Sequence, residues 1–348
     1  MINHRRPRRA LIAVAVALAI GLGCAAGPTQ AAEDTPLARL AASMTVGSWA
    51  ELKTHGLTPE FLQFPTPVMT YSVLDYQNSG VWDPTSRQVL FIAGPHINQG
   101  RFLTYSEATN SWRREPDPPF ALYSHTYNHN TINPATGEFF FRLNNQPDIW
   151  RYKIATQTWS KLTSIPQRDY NCCGALQYFG ERNGLLFVGT SEIEFYDLGR
   201  KRWSTPWTTI KTGPYHATAQ YSPGAKVLIF GGGSGVRTVY RMDAKGKITQ
   251  MGDSPYPLDS GGHSIFVADP VSGLFLLFGE NRTFYVYDAT TDKWTQQDQE
   301  AAFFDVGPEG PVYSTIAVPI STHGVVMFIS YSPREPRVFL YKHAAAGP

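Results

Sequence analysis

The sequence predicts an all-β fold, a single six-bladed β-propeller, from three observations. Short apolar runs recur through the chain, separated by turn residues and without a helical period between them. A tyrosine is followed seven residues later by a tryptophan in four places. Successive repeats are about 40 to 50 residues apart, which is the spacing of propeller blades, and each blade must pack on its neighbours to bury its faces.

Residues 215–251 show one repeat most clearly. They contain four short segments of strand-forming residues, separated by the turn signals Ser222-Pro223-Gly224, Ser234-Gly235 and Lys245-Gly246. Four strands in so short a stretch, with no helix between them, are typical of one four-stranded blade.

The other repeats keep the same order of apolar strand and aromatic pair. The pairs are Tyr105/Trp112, Tyr152/Trp159, Tyr196/Trp203 and Tyr287/Trp294. The apolar runs lie at 89–94, 138–143, 185–190, 227–232, 274–279 and 325–330. The predicted blades therefore cover 79–116, 123–162, 171–206, 213–252, 260–298 and 312–342.

The last repeat is incomplete and the N-terminus supplies what it lacks. Residues 338–341 form a third strand whose tryptophan partner would fall at Pro348, the last residue, whereas Trp49 lies in a strand-like segment with no strands before it. We expect the Trp49 segment to complete the final blade, because a closed ring removes the exposed sheet edge. A seventh blade from residues 57–72 is the alternative, although this stretch has no tyrosine–tryptophan pair.

The glycine doublet Gly231-Gly232, together with the tyrosine of the third strand and the tryptophan of the fourth, resembles the kelch repeat of bacterial exported and galactose oxidase-type propellers. The resemblance covers about residues 66–342 and a piece of the N-terminus. Other repeats depart from the doublet and carry Ala93-Gly94, Gly189-Thr190 or Gly279-Glu280 there. The tyrosine–cysteine motif of the copper oxidases is not found, so no cofactor is expected.

Residues 1–31 have the pattern of an export signal. Four arginines precede an apolar run at 10–23, and Thr29-Gln30-Ala31 offers small residues for cleavage. We therefore expect a periplasmic or secreted protein with a flexible lead-in at 32–47 and one propeller domain at 48–344. Lipid anchoring at Cys24 is the less favoured alternative. No later segment is apolar enough to span a membrane.

The positive charge of the chain belongs to this N-terminal segment. Residues 1–31 hold four arginines and no acidic residue, so the remainder carries 26 basic and 28 acidic residues. Without a clustered basic stripe, nucleic acid is not an expected partner. The expected partner is a carbohydrate or a protein, bound by a monomer, because the ring closes on itself.

Candidate site residues lie where the innermost strand of each blade begins, since propeller blades converge there. Counting back seven residues from the turn prolines leads to Gln77, Tyr127, His216, His263 and the neighbourhood of Tyr313. The predicted catalytic residues are Tyr127, His129, His216 and His263. The predicted ligand-binding residues are Gln77, Asn128, Asn130, Arg168, Tyr170, Cys172, Cys173, Tyr215 and Tyr313.

Each histidine also has a structural interpretation, a hydrogen bond to the backbone of a neighbouring blade. A metal site shared by His129, His216 and His263 is a minor alternative, and no metal is expected. His125 and His129 lie about 13 Å apart along an extended strand, too far for common chelation.

The adjacent residues Cys172 and Cys173 could close a vicinal disulfide in an oxidising compartment. Such a stiff plate at the mouth of the propeller would pack against a flat ligand such as a sugar ring. Two reduced thiols are the equally supported alternative.

The sequence leaves four functions open. The favoured one is recognition of a carbohydrate at the axial mouth, with its processing and its uronic-acid content both left open. A polysaccharide lyase would use histidine and tyrosine to remove the C5 proton and protonate the leaving oxygen, and a sugar epimerase or mutarotase would use similar groups. A non-catalytic protein-interaction scaffold is the remaining alternative. Motifs of acyl transfer, kinases and zinc fingers are not found.

Overall fold

The computed structural model describes residues 1, 34–65, 70–95, 97, 99–122, 125–166, 173–190, 192–205, 207–259, 264–279, 282–303, 315–331 and 335–344. Six four-stranded antiparallel sheets follow one another and form a six-bladed β-propeller. The first strand of each blade is innermost, and these strands contact one another from blade to blade around the ring. The predicted fold class is therefore confirmed.

The N-terminal elements are α1 (Pro36–Ser43), β1 (Ser48–Glu51), α2 (Pro59–Leu62), β2 (Gln63–Pro65) and β3 (Thr70–Ser72). Blade 1 contains β4 (Val81–Asp83), β5 (Gln88–Ala93), β6 (Arg101–Ser106) and β7 (Ser111–Arg114). Blade 2 contains β8 (Asn130–Asn133), β9 (Glu138–Arg142), β10 (Ile149–Lys153) and β11 (Thr158–Lys161). Blade 3 contains β12 (Ala175–Phe179), β13 (Gly184–Val188), β14 (Ile193–Asp197) and β15 (Arg202–Trp203).

Blade 4 contains β16 (Thr218–Ser222), β17 (Val227–Gly231), β18 (Val239–Met242) and β19 (Ile248–Gln250). Blade 5 contains β20 (Ser264–Ala268), β21 (Phe275–Gly279), β22 (Phe284–Asp288) and β23 (Lys293–Gln296). Blade 6 combines β24 (Thr315–Ile320), β25 (Val325–Tyr331) and β26 (Pro336–Lys342) with β1. Two 3-10 turns lie at Ile154–Thr156 and Gly180–Arg182.

The seven-residue spacing between tyrosine and tryptophan results from a fixed register between the third and fourth strands of a blade. In blade 5, for example, Tyr287 is directly opposite Trp294 and the two rings stack with centroids 4.3 Å apart. Aromatic side chains also join neighbouring blades, as where Phe102 of blade 1 stacks on Phe139 of blade 2 at 5.7 Å. The pattern thus marks both the hairpins and the interfaces between blades.

The ring closes through the N-terminal strand, as predicted. Strand β1 pairs antiparallel with β26, and Trp49 is opposite Tyr341. Their rings stack at 4.5 Å, and Phe278 of blade 5 packs edge-on against Trp49 at 5.9 Å. Trp49 therefore occupies in blade 6 the place that Trp294 occupies in blade 5.

The alternative of a seventh blade is wrong. In the described part of 57–72, the chain forms the short helix α2 and the two-stranded sheet of β2 and β3. Leu62 and Phe64 from this segment are buried in the core next to blades 1 and 6. Because the stretch packs on existing blades, it adds no four-stranded sheet of its own.

The predicted lead-in contains helix α1, which the strand-based repeat pattern did not predict. Thr35 caps this helix by accepting a hydrogen bond from the Ala38 backbone N–H at 3.1 Å. Leu37 and Ala41 are buried in the core next to blades 1 and 6. Among the described residues, no helix combines the length and apolar character needed to cross a membrane. The predicted export signal lies outside the described residues, apart from Met1.

A buried carboxylate connects the N-terminal segment with blades 1 and 6. Glu107 is fully buried, and its Oε1 accepts hydrogen bonds from Arg87 Nη2 at 2.6 Å and Thr35 Oγ1 at 2.5 Å. Nε2 of His323, in the turn between β24 and β25, lies 2.9 Å from the same oxygen. Burial alone would raise the pKa of Glu107, but the bonds from His323, Arg87 and Thr35 outweigh burial and lower it below its usual value.

We expect Glu107→Gln to reduce the free energy of unfolding by about 2–3 kcal/mol at neutral pH, because hydrogen bonds to a charged group are lost. A folded-state pKa below the unfolded value stabilises the protein above the unfolded pKa of about 4.3, and this contribution disappears as the pH falls through the folded pKa. Urea denaturation across acidic and neutral pH should therefore show the two curves converging in acid. A difference in the free energy of unfolding that stays constant across this pH range would contradict the prediction. Glu335→Gln, at an exposed glutamate, is the control.

Candidate functional site

Aromatic and imidazole rings converge at the mouth, the end of the propeller at which the innermost strands begin. Tyr127, shortly before β8, and His216, shortly before β16, have ring centroids 4.9 Å apart. His125 lies 5.8 Å from both of these rings, and Tyr76, which precedes blade 1, lies 5.0 Å from His125. Two predicted catalytic residues, Tyr127 and His216, are thus brought together from blades 2 and 4.

Cys173 joins this group from blade 3, just before β12. Possible ligand atoms of His125, Cys173 and His216 all lie within 4.8 Å of one another. Cys173 is 1% exposed and is part of a disulfide. The chain has three cysteines, and the other two, Cys24 and Cys172, lie outside the described residues. The vicinal pairing with Cys172 therefore stays a prediction.

Three of these ring-bearing residues have left-handed backbone conformations. Tyr76, His125 and His216 have φ of 62°, 64° and 65°. Such left-handed conformations are unusual for bulky residues and cost about 1–3 kcal/mol each, so they persist only where the surrounding structure imposes them. The three rings are thus held in place by the fold at a local energetic cost, which is a feature of functional sites.

A buried carboxylate orients His216. Nδ1 of His216 lies 3.3 Å from Oδ1 of Asp259, whose side chain is only 4% exposed. The other oxygen, Oδ2, accepts a hydrogen bond from the Gly235 backbone N–H at 3.2 Å. With Nδ1 directed at Asp259, the Nε2 side of the imidazole is the side that acts on a ligand or proton.

The glycine doublet of blade 4 allows the segment that carries Asp259 to approach the site of His216. Gly232 has a φ of 67°, and a Cβ there would collide with the carbonyl oxygen of Leu258. The neighbouring Gly233 N–H donates to that same oxygen at 2.7 Å. The absence of a side chain at Gly232 therefore allows the segment carrying Asp259 to pack directly on the end of β17.

A cleft of about 620 Å³ opens beside His216. Its lining consists of Tyr215, His216, Ser234, Gly235, Arg237, Tyr256, Pro257 and Asp259. Tyr215 is 52% exposed, which is unusual among the large apolar side chains described here, and Arg237 is also exposed. The cleft thus offers two aromatic rings, one cation and several hydrogen-bonding groups to a small polar ligand.

His129 directly precedes β8 and is buried in the interface of blades 2 and 3. Its Nε2 is 2.9 Å from Nη1 of Arg142, and because arginine only donates, that nitrogen of His129 accepts the bond. Both residues are fully buried, and the Arg142 guanidinium also packs over the Phe187 ring at 5.1 Å. Burial lowers the pKa of Arg142 to about 9, so the group remains charged at neutral pH. The contacts of His129 favour a structural role.

The predicted amide ligands are buried, and they bond either within blade 1 or between blades. Gln77 Nε2 donates to the backbone oxygens of Ser79 and Ile92 at 2.8 and 3.1 Å. Asn130 Oδ1 accepts from the Ile92 N–H at 2.9 Å. The Leu176 N–H donates to the backbone oxygen of Asn128, whose Nδ2 donates to Asn78 Oδ1, so Asn128 connects blade 3 with the start of blade 1.

Five further predicted site residues, His263, Arg168, Tyr170, Cys172 and Tyr313, lie outside the described residues. The site also contains residues that were not selected from the sequence, namely Tyr76, His125, Arg237, Tyr256 and Asp259. Tyr76 and Tyr215 directly precede the positions counted back from the turn prolines, and this offset could have identified Tyr76. Asp259 had no comparable signal, because its position depends on the packing of Leu258 against Gly232.

The geometry defines the class of protein as a six-bladed β-propeller with a histidine- and tyrosine-rich mouth. A scan against protein-family models finds no match, and a search of curated proteins finds none either. The functional argument therefore depends on the site itself.

Proposed function

We propose that the protein recognises a carbohydrate containing uronic acids in the cleft at the mouth of the propeller. The observation that carries this proposal is that exposed Tyr215 and exposed Arg237 line one cleft together with His216 and Asp259. Sugar rings present C–H faces that pack on aromatic side chains, and their hydroxyls bond to carboxylate and imidazole groups. A guanidinium binds the carboxylate of a uronic acid in a bidentate manner.

The cleft is of the size of small-molecule sites, which are usually several hundred Å³. Kelch-type membership and export through residues 1–31 belong to the same proposal. They are supported by the Gly231-Gly232 doublet and by the basic and apolar pattern of the N-terminus. An exported propeller would meet polysaccharides outside the cytoplasm.

The test is calorimetric titration of the protein with oligouronates and with the corresponding neutral oligosaccharides. We expect Arg237→Ala to weaken binding of the acidic series by about 10- to 100-fold, because a charge-assisted hydrogen-bond pair is lost. Binding of neutral sugars should change little. Tyr215→Ala should weaken both series, because stacking does not depend on charge.

The exposed Arg202→Ala in blade 3 is the matched control and should bind like the wild type. Absence of binding across both series would contradict the proposal and favour the protein-interaction scaffold. Equal losses for acidic and neutral sugars in Arg237→Ala would contradict the assignment of the uronate carboxylate to Arg237.

A lyase activity is the second candidate, and the proximity of Tyr127 to His216 favours it. In β-elimination, a base takes the C5 proton, the C4–O bond breaks as the C4=C5 double bond forms, and the leaving oxygen is protonated. His216, oriented by Asp259, suits the proton transfer, and Tyr127 is the nearby phenol. Ultraviolet absorbance of the unsaturated product, lost in His216→Ala, would support this activity, and silence with retained binding would exclude it on the substrates tested.

A further inference from the structure

Three side chains that can ligate a metal meet at the mouth from three different blades. His125 comes from the start of blade 2, Cys173 from blade 3 and His216 from blade 4, and their ligand atoms lie within 4.8 Å of one another. Ligand atoms around a tetrahedral zinc ion are about 3.3–3.8 Å apart, given metal–ligand bonds of about 2.0–2.3 Å. The observed limit of 4.8 Å exceeds these separations by only about 1–1.5 Å.

The surroundings of His216 resemble those of a metal ligand. The carboxylate of Asp259 faces Nδ1 of His216, and a carboxylate on the other ring nitrogen is the usual support of a metal-bound imidazole, because it fixes the tautomer and the ring orientation. Both histidines are held at positive φ, so the fold fixes their directions before any ion arrives. This combination is independent of the cleft residues Tyr215 and Arg237.

The disulfide decides whether the third ligand is present. A thiolate binds zinc strongly, whereas a disulfide sulfur carries no charge and does not replace it. Cys173 is disulfide-bonded in the structure, although its sulfur lies beside the two imidazoles. The same sulfur therefore has two alternative bonding states, one covalent and one coordinative.

We propose that this cluster is a redox-gated zinc site, which binds Zn²⁺ through His125, Cys173 and His216 only when the disulfide is reduced. A dithiol reductant supplies two electrons and two protons, the S–S bond breaks into two thiols, and the reductant becomes a disulfide. The Cys173 thiol then releases its proton as the zinc–sulfur bond forms. One thiolate and two imidazoles are a ligand set that zinc accepts, and three protein ligands leave a fourth position for water or an incoming ligand.

The test uses the full chain in two redox states. One portion stays oxidised, and the other is treated with dithiothreitol and desalted without oxygen. Each is titrated with Zn²⁺ by calorimetry and with Co²⁺ by absorption spectroscopy. We expect one Zn²⁺ per reduced chain, binding at least about 100-fold weaker in the oxidised chain, and a thiolate-to-cobalt charge-transfer band in the reduced chain alone.

Cys173→Ser, His125→Ala and His216→Ala should each weaken Zn²⁺ binding by about 100-fold or more, and Cys173→Ser should remove the charge-transfer band. Asp259→Asn, which keeps the size of the side chain, should weaken it by about 10- to 100-fold. His55→Ala, at an exposed histidine, is the control and should bind like the wild type. Circular dichroism without metal checks that each variant is folded.

Equal Zn²⁺ binding in both redox states would overturn the proposal, and so would binding that survives in Cys173→Ser. Loss of the fold on reduction alone would overturn it as well, because the site requires the intact propeller. Since the probe is the metal ion alone, failure of this test leaves the carbohydrate proposal standing, and failure of the carbohydrate titration leaves this one standing.

Discussion

Replacing Trp49 with alanine is expected to lower the free energy of unfolding by about 2–4 kcal/mol, somewhat less than for a fully buried aromatic residue, because the indole is half-buried. The indole stacks on Tyr341 at 4.5 Å and packs against Phe278, Phe303 and Phe328 at 5.9, 5.8 and 5.2 Å. These contacts hold strand β1 on β26 and so close the ring. Equilibrium denaturation with urea measures the loss.

The variant is also expected to release strand β1. An exposed β26 edge would then offer unpaired backbone groups to other chains, so we expect proteolysis near residues 48–51 and concentration-dependent association. Size-exclusion chromatography and limited proteolysis report these effects.

Trp294→Ala is the matched control, because Trp294 stacks on Tyr287 in the same way but belongs to a blade whose four strands are continuous in sequence. It should be destabilised to a similar degree without association or cleavage near β1. If both variants associate equally, the ring is not closed selectively by Trp49.

Arg142→Ala is expected to destabilise the propeller by about 3–5 kcal/mol, because it removes one partner of a buried polar pair and leaves a cavity. The guanidinium is completely buried, with His129 Nε2 at 2.9 Å and the Gly174 carbonyl oxygen at 3.4 Å. Its loss takes a donor from His129 inside the interface between blades 2 and 3. Thermal and urea denaturation provide the measurement.

Arg142→Met distinguishes the lost charge from the lost volume. Methionine fills most of the same space, so it should cost less than alanine if packing dominates, whereas an equal cost would show that the hydrogen bonds of the guanidinium dominate. His129 accepts a hydrogen bond from Arg142, and we assign this pair a structural role. Glycan binding should therefore survive in the folded Arg142→Met variant. Loss of glycan binding in this variant would instead indicate that His129 takes part in binding the ligand.

Much of the fold could be predicted from the sequence because its signals are local. The seven-residue spacing between Tyr287 and Trp294 follows from one hairpin, and the same spacing recurs in other blades. Closure by Trp49 could also be predicted, because the last repeat lacked a fourth strand with its tryptophan and the Trp49 segment has the pattern of such a strand. Helix α1 was not anticipated, since its short stretch has no repeat partner and is stabilised by burial of Leu37 and Ala41.

The site could be predicted only in part. Tyr127 and His216 were found because inner-strand starts can be counted from turn prolines. The same counting selected Gln77, whose side chain bonds instead to the Ser79 backbone oxygen within blade 1. Asn128, next to Tyr127, bonds to Asn78 at the start of blade 1. Whether a polar residue faces the ligand or the neighbouring blade depends on rotamers and on φ. The spacing of the repeats determines neither the rotamer nor the φ of such a residue.

The sequence by itself determined the order of six blades and the way the ring closes, because these follow from local strand and turn patterns repeated along the chain, and the structure then excluded a seventh blade. Only the tertiary structure decided that His125, Cys173 and His216 would meet, and that Asp259 would stand behind His216. The physical reason is that these residues lie on separate blades. Their distances are set by how the sheets pack around the ring, including the close approach of Leu258 to Gly232, and no local pattern reports that packing.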